Sequence, residues 1–136
     1  AVALQQRPGV QVGIISNTNA IHSAWLRRHV PELALFAPVL LSNEVGLQKP
    51  DPAIYEKALA AAKMAPVRAM FVDDLAENVA AARALGLAAI QHRNWVETRP
   101  QLEAWLRPKS QSDDMAVRGQ NDTLSSTSGN VVDSAW

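Results

Sequence analysis

The chain contains no cysteine. Disulfides and thiolate metal sites are therefore excluded. The composition fits a reducing compartment, and a cytoplasmic location is expected. Nor is there an excess of charge: 13 Lys and Arg balance 13 Asp and Glu. No overall field draws the chain to nucleic acid or to an anionic membrane. No apolar run approaches the roughly 20 residues of a membrane-spanning helix. Residues 1–7 have neither an initiator methionine nor a signal-peptide pattern. They read as the middle of a helix, so the chain is expected to be the C-terminal part of something longer.

What is present fits one soluble globular domain of 136 residues, 48% hydrophobic and 19% charged. A domain of this size buries roughly two-thirds of its unfolded surface, enough for a core. Val10-Gln11-Val12-Gly13-Ile14-Ile15 is a β-rich run after Pro8-Gly9 and predicts a strand. Asn17-Thr18-Asn19 offers N-cap side chains to a helix over about 20–29, with Ile21, Trp25 and Leu26 at helical spacing. Val39-Leu40-Leu41 predicts a second strand, and 44–50 a loop. Asp51-Pro52 places a cap and a first-turn proline at the head of a helix to about Lys63. Ala69-Met70-Phe71-Val72 is a third strand, followed by a helix over about 76–85 that Gly86 closes. Ala88-Ala89-Ile90 is a fourth strand. A last helix spans 97–106, with Pro100 confining its firm part to the residues after the proline.

Strands alternating with helices predict an α/β fold: a Rossmann-like parallel sheet with helices on both faces. Right-handed crossovers put all the strand C-termini on one edge, where ligands bind in open α/β sheets. The boundary is set at 108. From Lys109 onward, Ser, Asp, Asn, Gly, Gln and Thr dominate, and Val131-Val132 is the only adjacent pair of β-branched apolar residues. Residues 109–136 read as a disordered tail.

Three elements fall on the expected edge. Ser16 ends the first strand beside a helix start, so its hydroxyl and the free N–H groups form an anion site. Taken alone, it is more often only a turn or cap residue. Lys49 precedes Pro50-Asp51-Pro52 and can neutralise a phosphate and a nearby carboxylate, although a lone loop lysine is usually solvated. Asp73 and Asp74 end a strand that should be buried, where two carboxylates are costly without a cation. A lysine or a divalent metal would meet that need; Mg²⁺ takes only one or two protein carboxylates. One of the two aspartates is otherwise explained as a helix cap. Asn78, one turn on, can orient a carboxylate or a water, or be a plain surface residue.

Together these residues resemble the haloacid dehalogenase superfamily of hydrolases, over about residues 4–106. Ile14-Ile15-Ser16-Asn17-Thr18-Asn19 resembles its second motif, Gln48-Lys49-Pro50-Asp51-Pro52 its third, and Phe71-Val72-Asp73-Asp74-Leu75-Ala76-Glu77-Asn78 its fourth. The pattern is most similar to the sugar-phosphate phosphatase branch and to the phosphatase domain fused to epoxide hydrolases. The resemblance implies a Mg²⁺-dependent phosphatase acting on a small phosphorylated substrate, with no nucleic-acid or membrane partner. Ser16 and the Asn17 backbone N–H would bind phosphate. Lys49 would be catalytic, Asp73 and Asp74 would bind metal, and Asn78 would support them. His22 and Trp25 would be ordinary helix residues, directed to the core.

The family's first motif, Asp-x-Asp-x-Thr/Ser after a strand, is not found. Aspartates stand only at 51, 73, 74, 113, 114, 122 and 133, and those in the tail are not expected to follow a strand. The nucleophile and the cap domain are thus expected to be missing, leaving the chain inactive alone and the sheet with an unfilled slot. A 2-haloacid dehalogenase is the in-family alternative, but such enzymes act without metal and the acidic pair argues against one. A truncated or pseudoenzymatic binding domain is the non-catalytic alternative. A phospho-receiver domain is excluded by order: receivers place the acidic pair first, whereas here Ser16 and Lys49 precede it.

Overall fold

The computed structural model describes residues 2–107 and 129–133. A short helix, α1 (Val2–Gln5), leads into strand β1 (Val10–Ser16), whose burial rises towards its C-terminal end. Helix α2 (Ala20–His29) follows; the Asn19 side chain caps it by accepting from the His22 amide. Strand β2 (Val39–Leu41) gives way to a single helical turn, α3 (Ser42–Val45), where a loop is expected from sequence. Gly46, at φ 73°, closes that turn in the left-handed region that a side chain disfavours. Helix α4 (Pro52–Ala62) starts at an Asp51 cap, which accepts from the Ala53 amide. Strand β3 (Ala69–Asp73), helix α5 (Ala76–Ala84) and strand β4 (Ala88–Gln91) follow. Helix α6 (Trp95–Leu106) begins two residues earlier than the sequence suggests, because Asn94 caps it, and it runs through Pro100.

The sheet is parallel throughout, in the order β2-β1-β5-β3-β4. Its middle strand, β5 (Gly129–Asp133), comes from the segment expected to be disordered. That expectation is corrected for residues 129–133; the rest of 109–136 lies outside the described residues. The expectation of an unfilled slot is corrected too. β1 and β3 each pair with β5, Val12 and Met70 both standing in register with Val131. The physical reason is the slot itself. Two strand edges one strand apart present two rows of unpaired N–H and C=O groups. The tail's one adjacent pair of β-branched apolar residues, Val131-Val132, suits a strand. Composition weighed the tail alone and missed the demand of the sheet.

Helices cover both faces. On one, α4 and α5 enclose Ile15, Leu40, Ile54, Tyr55, Ala58 and Phe71. On the other, Leu26 of α2 packs with Val12 and Ile14, while Leu102 of α6 packs with Met70 and Val72; Leu4 touches both groups. Gly13 has no room for a side chain: a Cβ there would lie 2.9 Å from the Pro38 carbonyl oxygen. No helix among the described residues is long and apolar enough to cross a membrane.

Candidate functional site

Because every strand runs the same way, Ser16, Asp133 and Asp73 close β1, β5 and β3 on one edge. Asp133 does follow a strand, contrary to the sequence expectation; its Cα stands in register with Ile14 and Val72. Ser16 is fully buried. Beyond it, Asn17 forms a reciprocal pair with the Lys49 backbone: its Oδ1 accepts from the Lys49 amide at 2.8 Å and its Nδ2 donates to the Lys49 carbonyl at 3.0 Å. The Asn17 side chain thereby fixes the lysine-bearing loop against the end of β1. Ser42 Oγ anchors the next residue, accepting from the Thr18 amide and donating to the Thr18 carbonyl.

The Lys49 ammonium reaches Asp73 Oδ2 at 3.0 Å, with the two side chains only 4% and 1% exposed. The same oxygen accepts from Asn78 Nδ2 at 3.0 Å, and Asp73 Oδ1 accepts from the Leu75 amide at 2.9 Å. A charge-assisted bond and two amide donors thus compensate a buried carboxylate that would otherwise be prohibitively costly. Asn78 is buried, so the reading of it as a plain surface residue is removed. Its carbonyl accepts from the Tyr55 hydroxyl at 2.9 Å, and the Tyr55 ring meets Phe71 edge-on at 5.1 Å. Phe71 in turn lies under the Lys49 ammonium, 5.8 Å from its ring centre. Burial first, and then the charges of Asp73 and Glu77, push the Tyr55 phenol well above its usual range. Tyr55 therefore stays a neutral donor.

The acidic pair divides. Asp73 faces inward to Lys49, whereas Asp74 is exposed and its backbone carbonyl accepts from Gln91 Nε2. Leu75, not an aspartate, occupies the N-cap of α5, and no side chain caps that helix. Among the described residues no group of three or more His, Cys, Asp and Glu could hold a metal ion. Mg²⁺ asks less, one or two carboxylates and several waters, and Asp74 is an exposed carboxylate on this edge.

Ser16, Asn17, Lys49, Asp73 and Asn78 converge, and Asp74 shares their edge without bonding to them. Sequence reasoning missed Tyr55 and Phe71. The signal for Tyr55 was its place on the buried face of α4, where a tyrosine hydroxyl must find a partner. Two expectations of core residues also fail: Trp25 is 51% exposed and His22 lies on the surface, because Ser23 and Leu26 take the buried face of α2.

Comparison with known proteins bears on the family and the fold. A family model for the haloacid dehalogenase-like hydrolases matches residues 2–86. Phosphatase MT3486 of Mycobacterium tuberculosis is 32% identical over 85 residues, covering 62% of this chain and 39% of the relative. Sesquiterpene phosphatase astK of Aspergillus oryzae is 35% identical over 82 residues, covering 60% and 42%. The chain thus spans less than half the length of either relative. A HAD family enzyme of Bacteroides thetaiotaomicron, solved with magnesium and inorganic phosphate, superposes with a TM-score of 0.56 at 27% identity, covering 65% of this chain and 50% of that one. The chain belongs to the haloacid dehalogenase-like hydrolases.

Proposed function

We propose that this sheet edge is the phosphoryl site of a Mg²⁺-dependent phosphatase acting on small phosphate monoesters. The observation that carries the reading is the buried Lys49–Asp73 pair, clamped by Asn17 and Asn78 at the strand ends beside Ser16. A lysine held there without freedom to swing is a fixed positive charge, the kind of preorganised group that stabilises a transferring phosphoryl. The Ser16 hydroxyl and the amide of Asn17 bind phosphate oxygens. Lys49 neutralises them, Asp73 aims Lys49, and Asn78 and Tyr55 hold Asp73. Asp74 holds Mg²⁺, which supplies further neutralisation of the phosphate charge when bound.

A carboxylate nucleophile and a second acid complete the family's chemistry. β5 ends at Asp133, but Ser134-Ala135-Trp136 comes next, so the second acid position is an alanine. The chain is therefore expected to bind phosphate without sustained turnover. The test is calorimetric titration with inorganic phosphate in the presence of Mg²⁺. Ser16→Ala should weaken binding about tenfold, the loss of one charge-assisted hydrogen bond. Asp74→Asn should remove the Mg²⁺ dependence while leaving the fold intact. Phosphate binding indifferent to Ser16→Ala would overturn the site. Sustained Mg²⁺-dependent hydrolysis of p-nitrophenyl phosphate by the chain alone would overturn the claim that the second acid is needed.

A further inference from the structure

Among the described residues, one side-chain polar atom is buried without a hydrogen-bond partner: the hydroxyl oxygen of Thr18. Thr18 stands two residues past Ser16, in the loop that leaves β1 for α2, so its Cα lies within about 7 Å of that of Ser16. Buried hydroxyls are nearly always paired, and an unpaired one destabilises the fold. The loop is not free to shift and relieve it. The Thr18 amide donates to Ser42 Oγ at 2.8 Å, and that hydroxyl donates back to the Thr18 carbonyl at 2.9 Å. One residue earlier, the Asn17 side chain is bonded twice to the Lys49 backbone. The Thr18 backbone is thus held from both directions, and χ1 is the torsion left to it.

The polar side chains that follow it are engaged with one another. Asn19 Oδ1 accepts from the His22 amide, and Ser23 Oγ donates to the Ala20 carbonyl and accepts from Asn43 Nδ2. Although Oγ1 is enclosed, Thr18 as a whole is only partly buried. A turn of about 120° from one staggered well to the next therefore carries the hydroxyl to another side of Cβ without moving the loop.

We propose that Thr18 is a ligand-binding residue: when phosphate is seated at Ser16 and the Asn17 amide, χ1 turns and Thr18 Oγ1 donates to a phosphate oxygen. The proposal rests on the phosphate-site reading above. A phosphate group offers three strong acceptor oxygens, and a hydroxyl bonded to an ionised oxygen makes the stronger kind of hydrogen bond. Thr18→Val in the full chain keeps the branched shape and removes the hydroxyl. Its two effects should have opposite signs, which a purely structural hydroxyl would not produce. Without phosphate, losing an unpaired buried hydroxyl should raise the urea midpoint by about 0.5 M at unchanged slope. In calorimetry with Mg²⁺ present, the same variant should bind inorganic phosphate about tenfold more weakly. Thr18→Ser, which keeps the hydroxyl, should bind phosphate with the wild-type affinity. A midpoint that does not rise in Thr18→Val means that the hydroxyl is already paired without phosphate, by an internal water for instance, and overturns the proposal. Wild-type phosphate affinity in Thr18→Val overturns it as well; if Ser16→Ala still weakens binding, the phosphate site stands without Thr18. Binding by Thr18→Ser as weak as by Thr18→Val would trace the loss to packing, and it too overturns the proposal. Absence of phosphate binding by the wild type overturns the phosphate-site reading and this proposal with it.

Discussion

Replacing Lys49 with methionine isolates the electrostatic core of the site. Methionine keeps most of the stem that lies over Phe71 and removes the ammonium. At 3.0 Å and an effective dielectric near 20, the attraction between Lys49 and Asp73 is about 5 kcal/mol, set against a desolvation cost of similar size. The net worth of the intact pair is therefore small, but the cost of breaking it is not. With Lys49 gone, Asp73 keeps the Leu75 and Asn78 amides but is left as a buried anion without its cation. Such orphaning costs about 3–5 kcal/mol, a large share of the roughly 5–15 kcal/mol that holds a domain folded.

The assay is urea unfolding followed by circular dichroism. With a slope near 2 kcal/mol per molar, the midpoint should fall by about 1.5–2.5 M at unchanged slope. Asp73→Asn should cost a comparable amount, because it leaves a buried ammonium. Lys49→Met combined with Asp73→Asn removes both charges, so the double variant should cost at least about 2 kcal/mol less than the sum of the two singles. A Lys49→Met loss below about 1 kcal/mol, or additivity within about 0.5 kcal/mol, would refute the reasoning, since either means that the pair is not desolvated as described.

Gly13→Ala should destabilise by about 1–3 kcal/mol, because its Cβ would sit 2.9 Å from the Pro38 backbone and push β2 from β1; wild-type urea stability would contradict the packing. Asn17→Ala should cost about 1–2 kcal/mol and weaken inorganic phosphate binding about tenfold, since two bonds to the Lys49 backbone are lost. If affinity is unaltered, Asn17 does not position Lys49. Val131→Pro removes an amide in the middle of a strand paired on both sides and should cost at least about 3 kcal/mol. Unchanged stability, or fast amide exchange across 130–132 in the wild type, would mean that β5 does not occupy the centre of the sheet.

Much of the fold was legible because its signals are local. Asn19, Asp51 and Asn94 are caps that a reader can see, and the first three strands are apolar runs bounded by turn residues. Ser16, Lys49 and Asp73 were legible as a group because a parallel sheet brings all its strand ends to one edge. Signals that depend on distant partners were not legible. Val131-Val132 becomes a strand only because β1 and β3 leave a gap that nothing in residues 109–136 announces. The acidic pair could not be divided from sequence, because β3 ends between the two and only the position of Lys49 decides which one is buried. Trp25 was misjudged because an indole at helical spacing usually marks a core; here Leu26 took that place.

The order β2-β1-β5-β3-β4 has a consequence for the chemistry. Ser16 belongs to one half of the sheet, and Asp73, with Asn78 on the helix that follows it, to the other; among the described residues the halves pair through β5. Leu4 of α1 packs against both halves, and two further ties cross the gap. One is the core under α4, which joins Ile15 of β1 to Phe71 of β3. The other is Lys49, whose backbone is bonded to Asn17 after β1 and whose side chain is bonded to Asp73 on β3. Lys49 therefore spans the end of β5 like a staple, and its charge sits where the two halves meet. The spacing between the β1 and β3 strand ends that carry Ser16 and Asp73 is thus set by the slot, about two strand spacings or ~9.5 Å. The groups that would bind phosphate and the strand that fills the slot should accordingly respond together. Loosening β5 should let Ser16 and Asp73 drift apart before either half unfolds, and phosphate affinity should fall ahead of global stability.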